Sequence, residues 1–148
     1  MQYCRKCSDA VAEIRGGVEA PQLTGCVEFY QENGCVLVVA RISGLSEKSE
    51  TGFFGFHIHQ GRKCSGAEFS GTEGHYNPTG QAHPEHAGDL PPLIRCRGNA
   101  YLCFRTDGFS VNEIIGRTVV IHSDPDDFHT QPAGNAGKKI ACGVIHKD

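Results

Sequence analysis

The run FFGFHIH, which begins at Phe53, places two histidines in a segment with the alternating pattern of a β-strand. Successive strand side chains point to opposite faces, so Phe56 and Ile58 face one way while His57 and His59 face the other. The two imidazoles then stand two strand rises apart, roughly 7 Å at the backbone, and can converge on one metal ion. By itself the pattern fits a metal-binding pair or two solvated histidines.

A second group of potential ligands follows in one loop-like segment and comprises His75, His83, His86 and Asp89. Three imidazoles and a carboxylate are a set that zinc binds in tetrahedral geometry, although scattered histidines in a polar loop would have the same composition. His122 follows the apolar run 118–121 and by itself is more typical of a strand-end histidine than of a ligand.

The segments that must position these residues are short and β-like. Runs rich in β-branched and aromatic residues recur between turns, and no window has a convincing helical period. The predicted strands are AVAEI from Ala10, CVEFY from Cys26, CVLVVARI from Cys35, FFGFHIH from Phe53, a strand near 90–96, YLCFRT from Tyr101, IIGRTVVIH from Ile114 and IACGVI from Ile140. We therefore predict an all-β sandwich or barrel with hairpin turns at 33–34 and 97–100 and two long functional segments, 60–88 and 123–138.

Length and charge narrow the classes of function. A chain of 148 residues with a formal net charge of -3 fits one domain and gives no reason to expect a nucleic-acid or anionic-membrane partner, because both need clustered positive charge. Its apolar stretches are too short to cross a bilayer. The N-terminus lacks the apolar core of a secretory signal, so we expect a cytoplasmic protein if Met1 is the native start, and otherwise an extracytoplasmic one whose signal was removed.

Five motifs occur in the order in which copper/zinc superoxide dismutases carry them: GFHIH, GHYNP, HAGDL, GRTVVIH and GNAGKKIACGVI. The chain resembles this family from about Ala10 to Ile145. The resemblance implies an eight-stranded antiparallel Greek-key flattened barrel, an immunoglobulin-like sandwich, in a domain spanning 10–148 after an N-terminal extension of residues 1–9. It also implies superoxide as a small-anion substrate, copper and zinc as cofactors, and a homodimer or a monomer.

The resemblance assigns ligands to each metal. Copper is held by His57, His59, His75 and His122, and zinc by His75, His83, His86 and Asp89. Four imidazoles suit tetragonal copper(II), and His75 would bridge the two metals as an imidazolate. Asp126, in preference to Asp127, matches the family's aspartate that accepts hydrogen bonds from one copper-bound and one zinc-bound histidine. An exposed acidic turn is the alternative interpretation.

The resemblance further implies a disulfide between Cys64 and Cys142 and a cation that guides superoxide to the copper histidines. The family usually has an arginine three residues before the second cysteine, and this chain has Lys139 there. Lysine keeps the positive charge but lacks the planar fork that holds an anion by two hydrogen bonds.

Two loops depart from the family pattern. Only Pro84 and Glu85 separate His83 from His86, so the zinc loop is abbreviated and a zinc site requires a turn that brings both rings together. The segment 123–138 is also shorter than the family's electrostatic loop, which predicts weaker steering of the substrate.

The remaining cysteines lie outside the motifs. Cys4 and Cys7 form a Cys-x-x-Cys pair that would bind copper or zinc or act as a redox pair, but we expect inert thiols at a frayed terminus. Two further pairs flank predicted hairpins, Cys26 with Cys35 and Cys96 with Cys103. Cross-strand disulfides would fit these positions, and we expect buried free thiols there instead.

Three functions compete at this point. The leading hypothesis is an enzyme that disproportionates superoxide. A non-enzymatic relative that stores or delivers copper and zinc would be expected to have lost at least one copper histidine, and a purely structural zinc domain would leave His57, His59 and His122 unexplained. The presence of every ligand position favours the enzyme.

Overall fold

The computed structural model describes residues 7–148, which form antiparallel β-structure with two short helical segments. The strands are β1 (Ala10–Gly16), β2 (Thr24–Gln31), β3 (Val36–Ser43), β4 (Phe53–Phe54), β5 (Phe56–His59), β6 (Leu93–Ile94), β7 (Asn99–Thr106), β8 (Thr118–His122) and β9 (Lys139–Lys147). A 3-10 segment spans Ala67–Thr72, and a single α-helical turn, α1, spans Val111–Ile114. No helix among these residues has the length and apolar character needed to cross a membrane.

Seven strands form one sheet in the order β5-β8-β9-β1-β2-β3-β7, and β4 pairs with β6 in a two-stranded ribbon. The ribbon continues both edges of the large sheet, because only Gly55 separates β4 from β5 and a tight turn with a Cys96–Asn99 bridge joins β6 to β7. Neighbours such as β5 and β8, or β3 and β7, are distant in the chain and make the crossovers of a Greek key. The predicted all-β Greek-key barrel is confirmed.

The predicted strand FFGFHIH is divided at Gly55. The N–H of Gly55 donates to the C=O of Asp124, and a Cβ at this position would lie 2.8 Å from the Cβ of Ala136. The close approach of the segment 123–138 therefore interrupts the strand, and the described residues form nine strands where eight were predicted.

The predicted strand IIGRTVVIH begins only at Thr118. Ser110 and Glu113 form a capping box, in which the Glu113 carboxylate accepts from the Ser110 N–H and hydroxyl, and this box starts α1. Ile114 is consequently the last residue of a helical turn, which the β-branched composition of the run did not indicate.

Alternation along the strands separates an apolar core from a polar site. Phe56 and Ile58 of β5 are fully buried in the core, where each contributes about 1.5–3 kcal/mol by leaving water. His57 and His59 point away from that core yet are only 0% and 2% exposed, because the segments 60–88 and 123–138 cover them. The two long segments thus enclose the face of β5 that carries the histidines.

Free thiols are found at Cys7, Cys26, Cys35, Cys96 and Cys103. The expectation that the hairpin cysteines are free is confirmed, but the expectation that they are buried is wrong. Cys103 is exposed because it lies on the outward side of β7, and Cys96 is exposed beside the 97–98 turn. Cys4 lies outside the described residues, so the Cys-x-x-Cys hypothesis stays a prediction.

Candidate metal centre

Four histidine rings, of His57, His59, His75 and His122, converge beside β5 and the end of β8, and one nitrogen of each lies within 4.8 Å of the others. Strand pairing places three of them, because β5 lies beside β8 with His57 opposite Val120 and His59 opposite Thr118. His122 follows the buried core residue Ile121 and therefore faces the same side as His57.

The hydrogen bonds of β5 leave one nitrogen of each ring directed at the cluster. His57 Nε2 donates to Asp126 Oδ2 at 2.7 Å, and His59 Nδ1 donates to the C=O of Glu73 at 2.8 Å. The other nitrogen of His57, Nδ1, is buried without a hydrogen-bond partner. A buried nitrogen of this kind is costly unless a ligand occupies it, and a metal ion fits that role.

His59 and His122 supply a second sign of a cation site. Their Nε2 atoms lie 3.2 Å apart, while His122 Nδ1 lies 3.5 Å from the C=O of Gly137. With both Nδ1 atoms protonated toward carbonyl groups, the two Nε2 atoms present lone pairs to each other. A cation bound by both nitrogens removes that repulsion, so the donor set fits a metal with imidazole ligands.

The second ligand group, His75, His83, His86 and Asp89, is centred on the Asp89 carboxylate. Asp89 Oδ1 lies 2.7 Å from His75 Nδ1, and Oδ2 lies 3.0 Å from His83 Nδ1 and 3.2 Å from His86 Nδ1. Ligand atoms about 2.0–2.1 Å from a tetrahedral zinc ion are about 3.3 Å from one another. The spacing of these four groups therefore fits zinc.

Backbone hydrogen bonds attach this group to β5. The C=O of Ile58 accepts a hydrogen bond from the N–H of Tyr76 at 2.8 Å, and the N–H of Ile58 donates to the C=O of Gly88 at 2.9 Å. A Cβ at Gly88 would lie 2.2 Å from the Ile58 carbonyl oxygen, so only glycine permits this approach. The residues next to His75 and Asp89 are thereby fixed against the strand that carries His57 and His59.

The abbreviated zinc loop contains the turn that the sequence requires. The N–H of Glu85 donates to the C=O of Ala82 at 2.8 Å, and the rings of His83 and His86 have their centroids 5.5 Å apart. Two intervening residues are therefore enough to direct both imidazoles at Asp89.

His75 and Asp126 link the two groups. His75 Nδ1 faces Asp89, whereas its Nε2 is buried without a hydrogen-bond partner beside the His57 ring, 4.0 Å away between centroids. On the other side, Asp126 accepts from His57 Nε2 at Oδ2 and from His83 Nε2 at Oδ1, both at 2.7 Å. One imidazole and one carboxylate thus touch both ligand groups.

Asp127, the alternative to Asp126, has a different environment. Its carboxylate accepts from the N–H groups of His129 and Thr130 at the protein surface and does not contact the histidine clusters. Asp126, by contrast, lies against Gly134 and His83. A Cβ at position 134 would lie 1.9 Å from Asp126 Oδ1 and 2.6 Å from His83 Nε2. The loop therefore packs its backbone directly on the contact between Asp126 and His83.

Burial favours the neutral form of His59 and His122, whereas hydrogen bonds keep the Asp126 carboxylate charged. Burial, with the neighbouring His57 and His75, lowers the pKa of His122 to about 3, and it lowers the pKa of His59 well below the usual value. Burial would raise the pKa of Asp126, but hydrogen bonds from His57, His83 and the Phe128 N–H outweigh it and hold that pKa well below its ordinary range. At neutral pH His59 and His122 are therefore neutral and Asp126 is anionic, the charge states that metal binding requires.

Lys139 stands at the mouth of an open cavity of about 440 Å³ that His59, His75 and His122 also line. Its Nζ donates to Thr72 Oγ1 at 2.8 Å and to the C=O of Glu73 at 2.9 Å. Burial lowers the pKa of this ammonium. The contact was not foreseen from the sequence, because a hydroxyl and a main-chain carbonyl carry no motif.

A disulfide between Cys64 and Cys142 joins the segment 60–88 to β9, across a sequence separation of 78 residues. Cys142 lies three residues beyond Lys139, as the resemblance implies. The disulfide therefore ties the loop that carries Thr72 and Glu73 to the strand that carries the lysine. Both sides of the cavity mouth are therefore covalently connected.

The comparisons with known proteins agree with this geometry. The family model described as copper/zinc superoxide dismutase matches residues 23–145. The chain is 37% identical to Cu-Zn superoxide dismutase 2 of Aquifex aeolicus (strain VF5), covering 84% of this chain and 80% of that one, and 35% identical to Cu-Zn superoxide dismutase 3 of Arabidopsis thaliana, covering 92% and 88%. A crystal structure of a double mutant of a SOD-like protein from Bacillus subtilis superposes with a TM-score of 0.80 at 25% identity, over 92% of this chain and 96% of that one. With two histidine groups suited to copper and to zinc, the chain belongs to the copper/zinc superoxide dismutase family.

Proposed function

We propose that the two histidine groups form the catalytic centre at which this superoxide dismutase converts two superoxide anions and two protons to dioxygen and hydrogen peroxide. His57, His59, His75 and His122 would hold copper, and His75, His83, His86 and Asp89 would hold zinc. The observation that carries the proposal is the set of buried nitrogens without hydrogen-bond partners, on His57, His75 and His83, all directed into these groups.

When bound, copper supplies the one-electron redox chemistry that both half-reactions need, and zinc, which has a single oxidation state, supplies positive charge and structure. The side chains around the two proposed metal positions hold the imidazoles in place. Asp126 holds the Nε2–H of His57 and of His83, which sets both tautomers and leaves Nδ1 as the ligand atom of each. His75 is placed to hold a proton at Nε2, the atom that faces His57, for transfer to the product.

Substrate selection depends on charge at the cavity mouth. Superoxide is a small anion, and Lys139 is the one lysine or arginine among the described residues that line the cavity with the histidines. Two of its three N–H groups are used by Thr72 and Glu73, which hold it in place and leave one donor for the anion. Lys139 would therefore attract superoxide and orient it only through a single hydrogen bond.

The domain that carries this activity spans 10–148, preceded by the extension 1–9, and acts as a homodimer or a monomer. The first strand begins at Ala10, in agreement with that boundary. Sedimentation of the metal-loaded protein at micromolar concentration distinguishes the two assemblies.

The decisive experiment measures metal content, the copper(II) resonance spectrum and superoxide decay on one preparation. We expect one copper and one zinc per chain, a tetragonal all-nitrogen copper spectrum and rapid decay of superoxide. Full metal content without accelerated decay would instead support the relative that only stores or delivers metal, and a spectrum with sulfur ligation would contradict the histidine assignment.

A further inference from the structure

The side chain of Gln131 contacts the main chain of a zinc-site histidine. Gln131 Oε1 accepts from the N–H of His83 at 2.9 Å, and Gln131 Nε2 donates to the C=O of His83 at 2.6 Å. The same Nε2 also donates to the C=O of His129 at 3.2 Å. One amide therefore satisfies both main-chain groups of His83 from a segment 48 residues away in the chain.

His83 has little other main-chain support. Between Asn77 and Ala87 the described backbone hydrogen bonds are local turn contacts, such as Gly80 to Asn77 and Glu85 to Ala82, and none of them involves His83. The abbreviated loop passes no strand that could hold this residue by ladder pairing. The Gln131 amide takes the place of a strand neighbour, with one donor and one acceptor facing the same residue.

The ring of His83 is fixed from the same direction. Its Nε2 donates to Asp126 Oδ1 at 2.7 Å, and Asp126 belongs to the same 123–138 segment as Gln131. Ring and backbone are thus held by two side chains five positions apart in the sequence. Together they direct His83 Nδ1, a buried atom without a hydrogen-bond partner, at Asp89 Oδ2, 3.0 Å away.

We propose that Gln131 is a positioning residue of the zinc site: its amide holds the backbone of His83 so that Nδ1 reaches the zinc position in a loop too short to hold itself. The inference rests on the zinc assignment proposed above. An ordinary loop tether would contribute to folding stability alone, whereas a positioning residue must change the zinc site itself.

Gln131→Met keeps the length of the side chain and removes both hydrogen bonds, and Gln131→Glu keeps the acceptor but loses the donor. Gln81→Met is the matched control, because Gln81 is an exposed glutamine of the zinc loop whose side chain reaches only the C=O of Thr79, at 3.4 Å. Zinc release to a chromogenic chelator and the visible spectrum of cobalt(II) placed in the zinc site are measured at 25 °C, where each variant is folded by circular dichroism.

We expect Gln131→Met to release zinc about tenfold faster than the wild type and to alter the cobalt spectrum. About tenfold is the lower end of the effect on metal affinity that loss of a residue supporting a metal ligand typically has. Gln131→Glu should release zinc at least as fast, and Gln81→Met should match the wild type. Wild-type release and spectrum in Gln131→Met, even with a lowered melting temperature, would reduce Gln131 to a tether and overturn the proposal. Wild-type behaviour of Gln131→Glu would overturn the role of its donor.

His83→Ala separates this inference from the assignment beneath it. If zinc binds His83, the variant loses zinc altogether, and the Gln131 variants then test positioning alone. If His83→Ala keeps zinc with wild-type release, the zinc assignment itself is wrong. Loss of zinc in His83→Ala with no effect in Gln131→Met would leave the proposed function intact and remove only the positioning role.

Discussion

The proposed copper and zinc groups are positioned by different kinds of structure. Three of the four proposed copper ligands lie on paired strands, His57 and His59 on β5 and His122 on β8, within a seven-stranded sheet. The proposed zinc ligands, including the shared His75, lie outside the named strands, and a turn and side-chain contacts from another segment help to direct them. Strand register therefore positions most of the proposed copper group, whereas the proposed zinc group depends on how two loops pack together.

The largest expected effect comes from removing a proposed copper ligand that the sheet positions. We expect His122→Ala to lower dismutation at least about 100-fold, more than loss of an outer hydrogen-bond partner would, because a ligand of the redox metal itself is gone. Zinc content and the β-type circular dichroism spectrum should stay unchanged, since the zinc loop does not rest on this side chain.

Superoxide decay at measured metal loading tests this prediction. His146→Ala, which removes an exposed histidine of β9 outside both groups, is the control and should retain full activity. A fully copper-loaded His122→Ala enzyme with wild-type activity would show that the assignment of this histidine to copper is wrong.

Asp89→Ala tests the loop side of the comparison. Asp89 contacts all three histidines of the proposed zinc group, so its loss should weaken zinc binding about 100-fold while copper stays bound by residues on the sheet. The melting temperature of the metal-loaded protein should fall as well, because zinc binding free energy is coupled to folding. Metal analysis and thermal unfolding measure both effects.

Glu85→Ala removes an exposed carboxylate from the same loop and should leave zinc and stability unchanged. Loss of copper from Asp89→Ala with zinc untouched would reverse the assignment of the two groups.

The pH dependence of the metal-free protein sharpens the comparison, because burial lowers the pKa of each of the three proposed copper ligands that lie on strands. The folded-state pKa of His57, of His59 and of His122 is lowered, so below the unfolded pKa of about 6.5 the unfolded chain binds more protons than the folded one. Stability must then fall as the pH drops below about 6.5. With a folded pKa of about 3, His122 alone costs on the order of 1 kcal/mol between pH 7 and 5.5.

Urea unfolding of the metal-free protein at several pH values measures this slope. Asp89 and Asp126 do not contribute in this window, since their lowered pKa values affect stability only below about pH 4. A metal-free His122→Gln variant should show a shallower slope, and a wild-type free energy of unfolding that is flat from pH 7 to 5.5 would contradict the prediction.

The sequence predicted the strand part of the molecule better than the loop part. Alternation along β5 was enough to expect Phe56 and Ile58 in the core and two histidines opposite them, because side-chain direction in a strand follows from position alone. The break at Gly55 and the helical turn at Ile114 were missed, since each depends on a tertiary or capping contact with a residue elsewhere.

In the loops, residue types could be read but not their contacts. The motifs indicated His83, His86 and Asp89 as ligands, and they indicated a disulfide between Cys64 and Cys142. They carried no sign that Gln131 would hold the His83 backbone, or that Thr72 and Glu73 would hold Lys139, because those contacts use main-chain atoms or a hydroxyl that any loop could offer.

Lys139 joins the two kinds of structure, because its backbone begins β9 while its ammonium is held by loop atoms. A cation at the cavity mouth raises the local concentration of superoxide, and electrostatic steering of this kind changes association rates by 10-fold or more. We therefore expect Lys139→Glu to lower the rate of superoxide decay about tenfold at equal copper loading, and Lys139→Arg to leave it equal or raise it, since charge matters more than shape.

Lys138→Glu is the matched control and should have a smaller effect, because Lys138 turns outward to pair with Glu19 at 2.9 Å. Raising the ionic strength should slow superoxide decay in the wild type and in Lys139→Arg, because salt screens the attraction over a Debye length of about 10 Å at 0.1 M. It should not slow Lys139→Glu, because that variant lacks the attraction. Unchanged activity in Lys139→Glu, or an equal loss in Lys138→Glu, would assign the steering charge to a different residue.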